Sequence, residues 1–116
     1  MTAFEQLNTL DDIVIQSGTY KELQLPCYYS DGEPMALSSM TYGCTLSLYG
    51  EDSVLLQNIV GTIKSGTENV MVISILSEYT EGMDNCVLMY RPYIIDGLKK
   101  YKFQGRLIIG ASTPTA

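Results

Sequence analysis

Residues 41–49, TYGCTLSLY, alternate without a break: Tyr42, Cys44, Leu46 and Leu48 are large or apolar, while Thr41, Gly43, Thr45 and Ser47 are small. Successive side chains of a β-strand point to opposite sides of a sheet, so this repeat of two predicts a strand with one buried and one wetter face. The same rhythm runs through TYKELQLPCYY, where Leu23, Leu25, Cys27 and Tyr29 share a face. Pro26 has no N–H to give to a ladder, which predicts a sheet edge or a bulge near it.

Five further segments carry strand chemistry. VMVISIL (70–76) is rich in β-branched residues and is expected to be a strand buried on one or both faces. CVLMYRPYII (86–95) and YKFQGRLIIG (101–110) flank DGLKK, whose Asp96-Gly97 pair predicts a hairpin because glycine tolerates the positive φ of such turns. Tyr101, Phe103, Leu107 and Ile109 fall on one face, and the Gly105 between them predicts a bulge or a close approach of backbone. DIVIQ (12–16) reads as an opening strand ended by Ser17-Gly18, and 54–64 as one broken strand or two, running up to Ser65-Gly66-Thr67.

Only SEYTEGMDN (77–85) departs from this pattern, offering a single helical turn closed by Gly82. Seven or eight short strands with turn signals about every ten residues predict an all-β domain, a β-sandwich or barrel. With 116 residues the chain suits one domain. Residues 11–110 are expected to form it, with 1–10 as an N-terminal arm and 111–116 as a C-terminal tail.

Charged residues make up only 17% of the chain, below the roughly 25% usual for soluble domains, so part of the surface is expected to be covered by a partner. Thirteen acidic residues against seven basic ones leave a net charge of -6, which argues against nucleic acid as that partner. Lys99, Lys100, Lys102 and Arg106 form the one loose basic cluster and read as a solvated hairpin. MTAFEQLNTLDD lacks the pattern of a secretory signal, and no apolar run reaches the roughly 20 residues needed to cross a bilayer. The expectation is a protein made in the cytoplasm, with no membrane partner.

The residues leave little room for catalysis. There is no histidine, which removes Ser-His and Cys-His nucleophile pairs and histidine metal sites. Asp11-Asp12, Glu51-Asp52 and the trio Glu78, Glu81 and Asp84 all fall at turns or strand ends, where carboxylates are solvated, and none has calcium-loop spacing. GTIKSGT (61–67) has two glycines five positions apart, but Thr67 stands where a phosphate-binding loop needs lysine. No catalytic residue, metal ligand or cofactor is expected.

Cys27, Cys44 and Cys86 form no C-x-x-C pair and are expected to be free thiols, the rival being a Cys27–Cys86 bridge between sheets. Nine tyrosines against two phenylalanines suit either sheet packing or interfaces, and Tyr28, Tyr49, Tyr79 and Tyr93 lie outside the inward-facing series.

The stretch QLPCYYSDGEPMALSSMTYGCTLSLYG resembles the first half of the immunoglobulin-like domains of tailed-phage virion proteins, of the kind found at the N-terminus of phage baseplate upper proteins. Ser30, Asp31, Gly32 and Pro34 match that family's Ser-Asp-Gly-x-Pro turn, Leu37 and Ser38 match its small apolar corner, and Met40 stands where a small apolar residue is common. A glycine turn before VMVISIL, an irregular piece at SEYTEGMDN and a final Asp-Gly hairpin follow in the same order. Asp84-Asn85-Cys86 replaces the family's Gly-x-Tyr at the start of the penultimate strand, and Pro92 inside that strand is unexpected.

The resemblance implies an all-β, immunoglobulin-like antiparallel β-sandwich of about seven or eight short strands, and a non-enzymatic structural subunit of the virion: a head decoration or fibre base, a neck or tail component, or a baseplate adaptor. Its partners would be other virion structural proteins, in an oligomer or multi-copy assembly. Phe4 and Leu7 of the N-terminal arm and the exposed Tyr28 and Tyr49 are the expected contacts. The alternative is a carbohydrate-binding or adhesin-type module, with Tyr28, Tyr29, Tyr42 and Tyr49 as a row of sugar-stacking rings.

Overall fold

A computed structural model describes residues 9–49 and 54–110. Among these, nine strands form two sheets. They are β1 (Ile13–Gln16), β2 (Lys21–Pro26), β3 (Thr41–Leu48), β4 (Leu55–Val60), β5 (Thr62–Ile63), β6 (Val70–Ile75), β7 (Cys86–Asp96), β8 (Lys99–Lys102) and β9 (Gly105–Gly110). The larger sheet has six strands in the order β1-β9-β7-β3-β4, with β8 also pairing β7; the smaller has the order β2-β6-β5. The protein is therefore an all-β sandwich. Its order, β9-β7-β3-β4 opposite β2-β6-β5, is the one expected of an immunoglobulin-like arrangement with an added strand beyond β3.

One pairing departs from the antiparallel expectation. β1 lies parallel to β9, Ile13 opposite Leu107 and Ile15 opposite Ile109. The tight turn at Ser17-Gly18 carries the chain from one sheet to the other instead of folding it back, which leaves β1 free to take the open edge of β9. Thr9 and Leu10, placed by the sequence at the end of an arm, extend this attachment: Thr9 bridges Gln104, and the Leu10 N–H donates to the Gln104 carbonyl at 2.8 Å.

The alternation read in the sequence sorts side chains as expected except at the end of β3, where Leu48, expected inward, is 41% exposed and Ser47 is buried, beside a register shift against β4 between Leu46 and Ser47. Cys44 and Leu46 of β3, Leu88, Tyr90 and Ile94 of β7, and Leu107 and Ile109 of β9 are buried from the larger sheet. Leu23 of β2 and Met71, Ile73 and Ile75 of β6 meet them from the smaller one. β2 is an edge strand ending at Pro26, so the missing N–H falls where no ladder extends.

The Asp-Gly-x-Pro stretch folds into a small loop that returns to the core. Asp31 accepts the Glu33 N–H on its side chain at 3.0 Å, Gly32 adopts φ +92, and Tyr28 bridges Pro34. Met35 and Leu37 then drop into the core, and a single 3-10 turn, Leu37–Ser39, redirects the chain into β3. The helical turn predicted in SEYTEGMDN is α1 (Ser77–Thr80), followed by Gly82 at φ +80.

Pro92 fits inside β7 because it stands at a change of partner. β7 pairs β9 as far as Tyr90 and β8 from Tyr93 onward. The Pro92 carbonyl accepts the Phe103 N–H at 3.0 Å across this gap, so the N–H that proline lacks would also have faced the gap. No ladder bond is lost.

Candidate interaction surface

The face of the larger sheet turned away from the core is where the described residues concentrate features beyond packing. Register fixes its rows. Val14 is opposite Ile108, and Ile108 is opposite Val87. The Tyr49 N–H donates to the Val87 carbonyl at 3.2 Å, bringing Tyr49 beside that row at the end of β3. Val14 is 70% exposed and Tyr49 57%, so an apolar band crosses four strands in contact with water.

The next row is polar. Arg106 lies opposite Met89, and its guanidinium grips Asp12 through Nε at 3.0 Å and a second, shorter bond from Nη2. That hydrogen bond, with the charge behind it, holds the Asp12 carboxyl below its ordinary value and the guanidinium above its own. Met89 is opposite Ser47, whose hydroxyl accepts from Arg91 Nη1 at 3.3 Å.

An open cavity of about 940 Å³ lies along the far part of β7 and β8, lined by Arg91, Lys100 and Lys102 and also by Ile94, Tyr101 and Phe103, which have the opposite parity. Tyr93 is opposite Lys102 and Ile95 is opposite Lys100, and directly opposed residues share a face, which turns both lysines toward the side that carries Arg91. The Tyr93 ring lies over Gly43: a Cβ there would come within 2.8 Å of the Tyr93 hydroxyl and 2.7 Å of the Ile59 carbonyl. Glycine at 43 is what lets the ring lie down.

The sheet ends in β4, an edge strand without charge, LLQNIV. Leu55 is 60% exposed and Val60 81%, with Val54 and Leu48 exposed beside the hairpin. The other edges are blunted. β1 and β5 are short, and β2 carries Lys21, Glu22 and Pro26. A register shift between Leu46 and Ser47 places Leu55 opposite Ser47, on the outer side.

Of the residues expected to make contacts, Phe4 and Leu7 lie outside the described residues. Tyr28 and Tyr49 are both exposed but stand at opposite ends of the sandwich, separated by the length of β3, about 25 Å. The tyrosine row considered for sugar stacking is not assembled. Tyr29 and Tyr42 pack against the core, Tyr29 edge-on to Tyr101 with ring centroids 6.3 Å apart and its hydroxyl donating to Asp96. Tyr79, placed by the sequence outside the inward series, also packs against the core.

The three cysteines are free thiols. A Cys27–Cys86 bridge is blocked by direction: β2 leaves the α1 end at Lys21 and carries Cys27 to the other end, while Cys86 starts β7 beside α1. Burial pushes the Cys44 thiol up to about 12 and raises Cys27 as well, which makes both inert as nucleophiles. Among the described residues no group of three histidine, cysteine or carboxylate side chains is placed to hold a metal. No described helix is long and apolar enough to cross a membrane.

The residue that sequence reasoning missed is Arg91. It stood apart from the cluster at 99–106, and only the pairing of β7 with β8 brings it to Lys100 and Lys102. The Asp-Gly hairpin together with the outward parity of positions 91, 93, 100 and 102 was the available signal. No protein-family model matches the chain, and no curated protein does.

Proposed function

We propose that this protein is a non-enzymatic structural subunit of a bacteriophage particle, held in a multi-copy assembly by contacts of its sheet face and edge with other virion proteins. The observation that carries this reading is the outer face of the larger sheet, where the apolar band Val14–Ile108–Val87–Tyr49 runs toward the uncharged edge strand β4. Surface of this kind, with a free strand edge beside it, suits docking by another chain, both by side-chain packing and by strand addition.

The phage assignment rests on the resemblance of the Ser30-Asp31-Gly32-x-Pro34 turn, the Leu37-Ser38 corner and the Asp96-Gly97 hairpin to immunoglobulin-like virion domains. A structural role also agrees with the low charged fraction, 17%.

The test is to raise antibody against the recombinant chain and probe gradient-purified particles from lysates of the source bacterium, with peptide mass spectrometry for copy number. The chain is expected to co-sediment with particles at a fixed ratio to the major capsid protein. Recovery only in the particle-free soluble fraction overturns the reading.

A further inference from the structure

We infer that the outer edge of β8, with the apolar part of the cavity beside it, is the docking site of this chain's own residues 4–8, which lie there as a strand parallel to β8. The inference is independent of the structural-subunit reading above.

β8 and β9 pair with β7 as one strand. Tyr93 is opposite Lys102 and Tyr90 is opposite Gly105, so the register runs unchanged through the interruption at Pro92. The outer edge of this 99–110 strand is covered only in part. β1 holds it at Leu107–Gly110 and Thr9 holds it at Gln104, both running parallel to it. Beyond that point β8 pairs only β7 among the described residues, which leaves its other side open to a strand.

The chain already heads toward this edge. Thr9, the first residue of the described part, itself lines the cavity. A strand parallel to 104–110 that is traced back from Thr9 passes residues 103 to 99 in turn. The Thr9–Gln104 bridge sets the register: Leu7 falls opposite Lys102, Glu5 opposite Lys100 and Phe4 opposite Lys99. The one-residue slip between that bridge and the Ile13–Leu107 pair lies on the β1 side and does not enter this count.

Main-chain and side-chain chemistry both fit. The Phe103 N–H points to β7, where it donates to the Pro92 carbonyl at 3.0 Å. N–H groups alternate sides along a strand, so those of Lys100 and Lys102 point to the open edge. The Gln104 carbonyl, which accepts from Leu10, already faces that way. Directly opposed residues share a face. Phe4 therefore stands with Tyr101 and Phe103, two half-buried rings of the cavity wall that pack against the core. Glu5, the one carboxylate among residues 1–10, meets the exposed Lys100.

Docking moves the edge of the sheet outward to a run that carries Glu5, Asp11 and Asp12. Charge on an edge opposes further strand addition. The uncharged β4 is then the edge of the larger sheet left to a partner.

Amide hydrogen exchange followed by NMR on the full chain tests this. The Lys100 and Lys102 amides of the monomer are expected to be protected. Gln6→Pro removes an N–H aimed at the Lys100 carbonyl, and should speed their exchange by about tenfold or more while the core amides of Ile73 and Leu88 keep their rates. Lys100 and Lys102 amides that exchange in wild type as fast as those of an unstructured peptide overturn the inference. Protection that survives Gln6→Pro also overturns it, because another segment then covers the edge. Protection found only where sedimentation of the same samples shows a dimer overturns it as well, and assigns the site to residues 4–8 of a second copy.

Discussion

The ring of Tyr90 fills the space above Gly105: a Cβ built on that glycine would lie 2.6 Å from the ring's Cε1, Cζ and Oη atoms. The two residues are opposite each other across β7 and β9, and the Tyr90 hydroxyl reaches on to donate to the Asp11 carbonyl. One contact thus ties β7, β9 and the segment that enters β1.

Gly105→Ala should therefore be costly although it adds one methyl. Tyr90 is 2% exposed and has no room to withdraw. Overpacking of this kind costs about 1–3 kcal/mol, and a displaced ring also gives up the bond to Asp11, worth about 1 kcal/mol. Thermal unfolding by circular dichroism should show a midpoint lower by several degrees. An unchanged midpoint would mean that the ring does not occupy that space.

The same burial sets an alkaline limit. Removal from water raises the Tyr90 hydroxyl from 10 to about 12, with the carboxylates of Asp11 and Asp12 adding to the effect, and burial raises the Cys44 thiol from 9 to about 12. In both the folded pKa is above the unfolded one, so the protonated form is favoured by folding. The associated stability is complete below the unfolded values and is lost as pH rises from about 9 toward 12. Denaturant midpoints measured across that range should fall, and Tyr90→Phe, which removes one of the two groups, should flatten the fall. A variant with the same alkaline slope as wild type would place the sensitivity elsewhere.

Thiol reactivity should divide the cysteines by position. Cys27 and Cys44 are buried and Cys86 half-buried. A chromogenic disulfide reagent should label Cys86 first in the native protein, and all three only after denaturation. Fewer than three thiols in denatured, unreduced protein would reveal a bridge that the directions of β2 and β7 do not permit.

Local chemistry announced most of the fold. Alternation placed β2, β3 and β9 and sorted their faces up to Leu46, because a side-chain repeat of two is a property of the strand itself; Leu48 and Ser47 escaped it, past the register shift against β4. Gly105 and Pro26 signalled their roles for equally local reasons. The parallel partner of β1, the change of partner at Pro92 and the assembly of Arg91 with Lys100 and Lys102 depend on which strands meet across the sheet. Residues 13–16 fit either edge of a sheet equally well, and Arg91 has no lysine near it in sequence. Tyr79 misled because a helical turn follows β6, so the parity of the strand does not carry past Leu76.

The edge strand β4 separates a role in assembly from a role in stability. Val60 is 81% exposed and Leu55 60%, so neither contributes much to the core, and replacing both by lysine should change unfolding free energy by no more than about 0.5 kcal/mol each. Lysine on an edge is also a common natural guard against strand addition. If β4 docks a neighbouring virion protein, Leu55→Lys/Val60→Lys should keep the thermal midpoint of wild type yet be depleted from particles when it competes with wild type during assembly. Equal incorporation of the two would exclude β4 as a contact. A lowered midpoint would instead show that the exposed side chains are covered within the folded monomer.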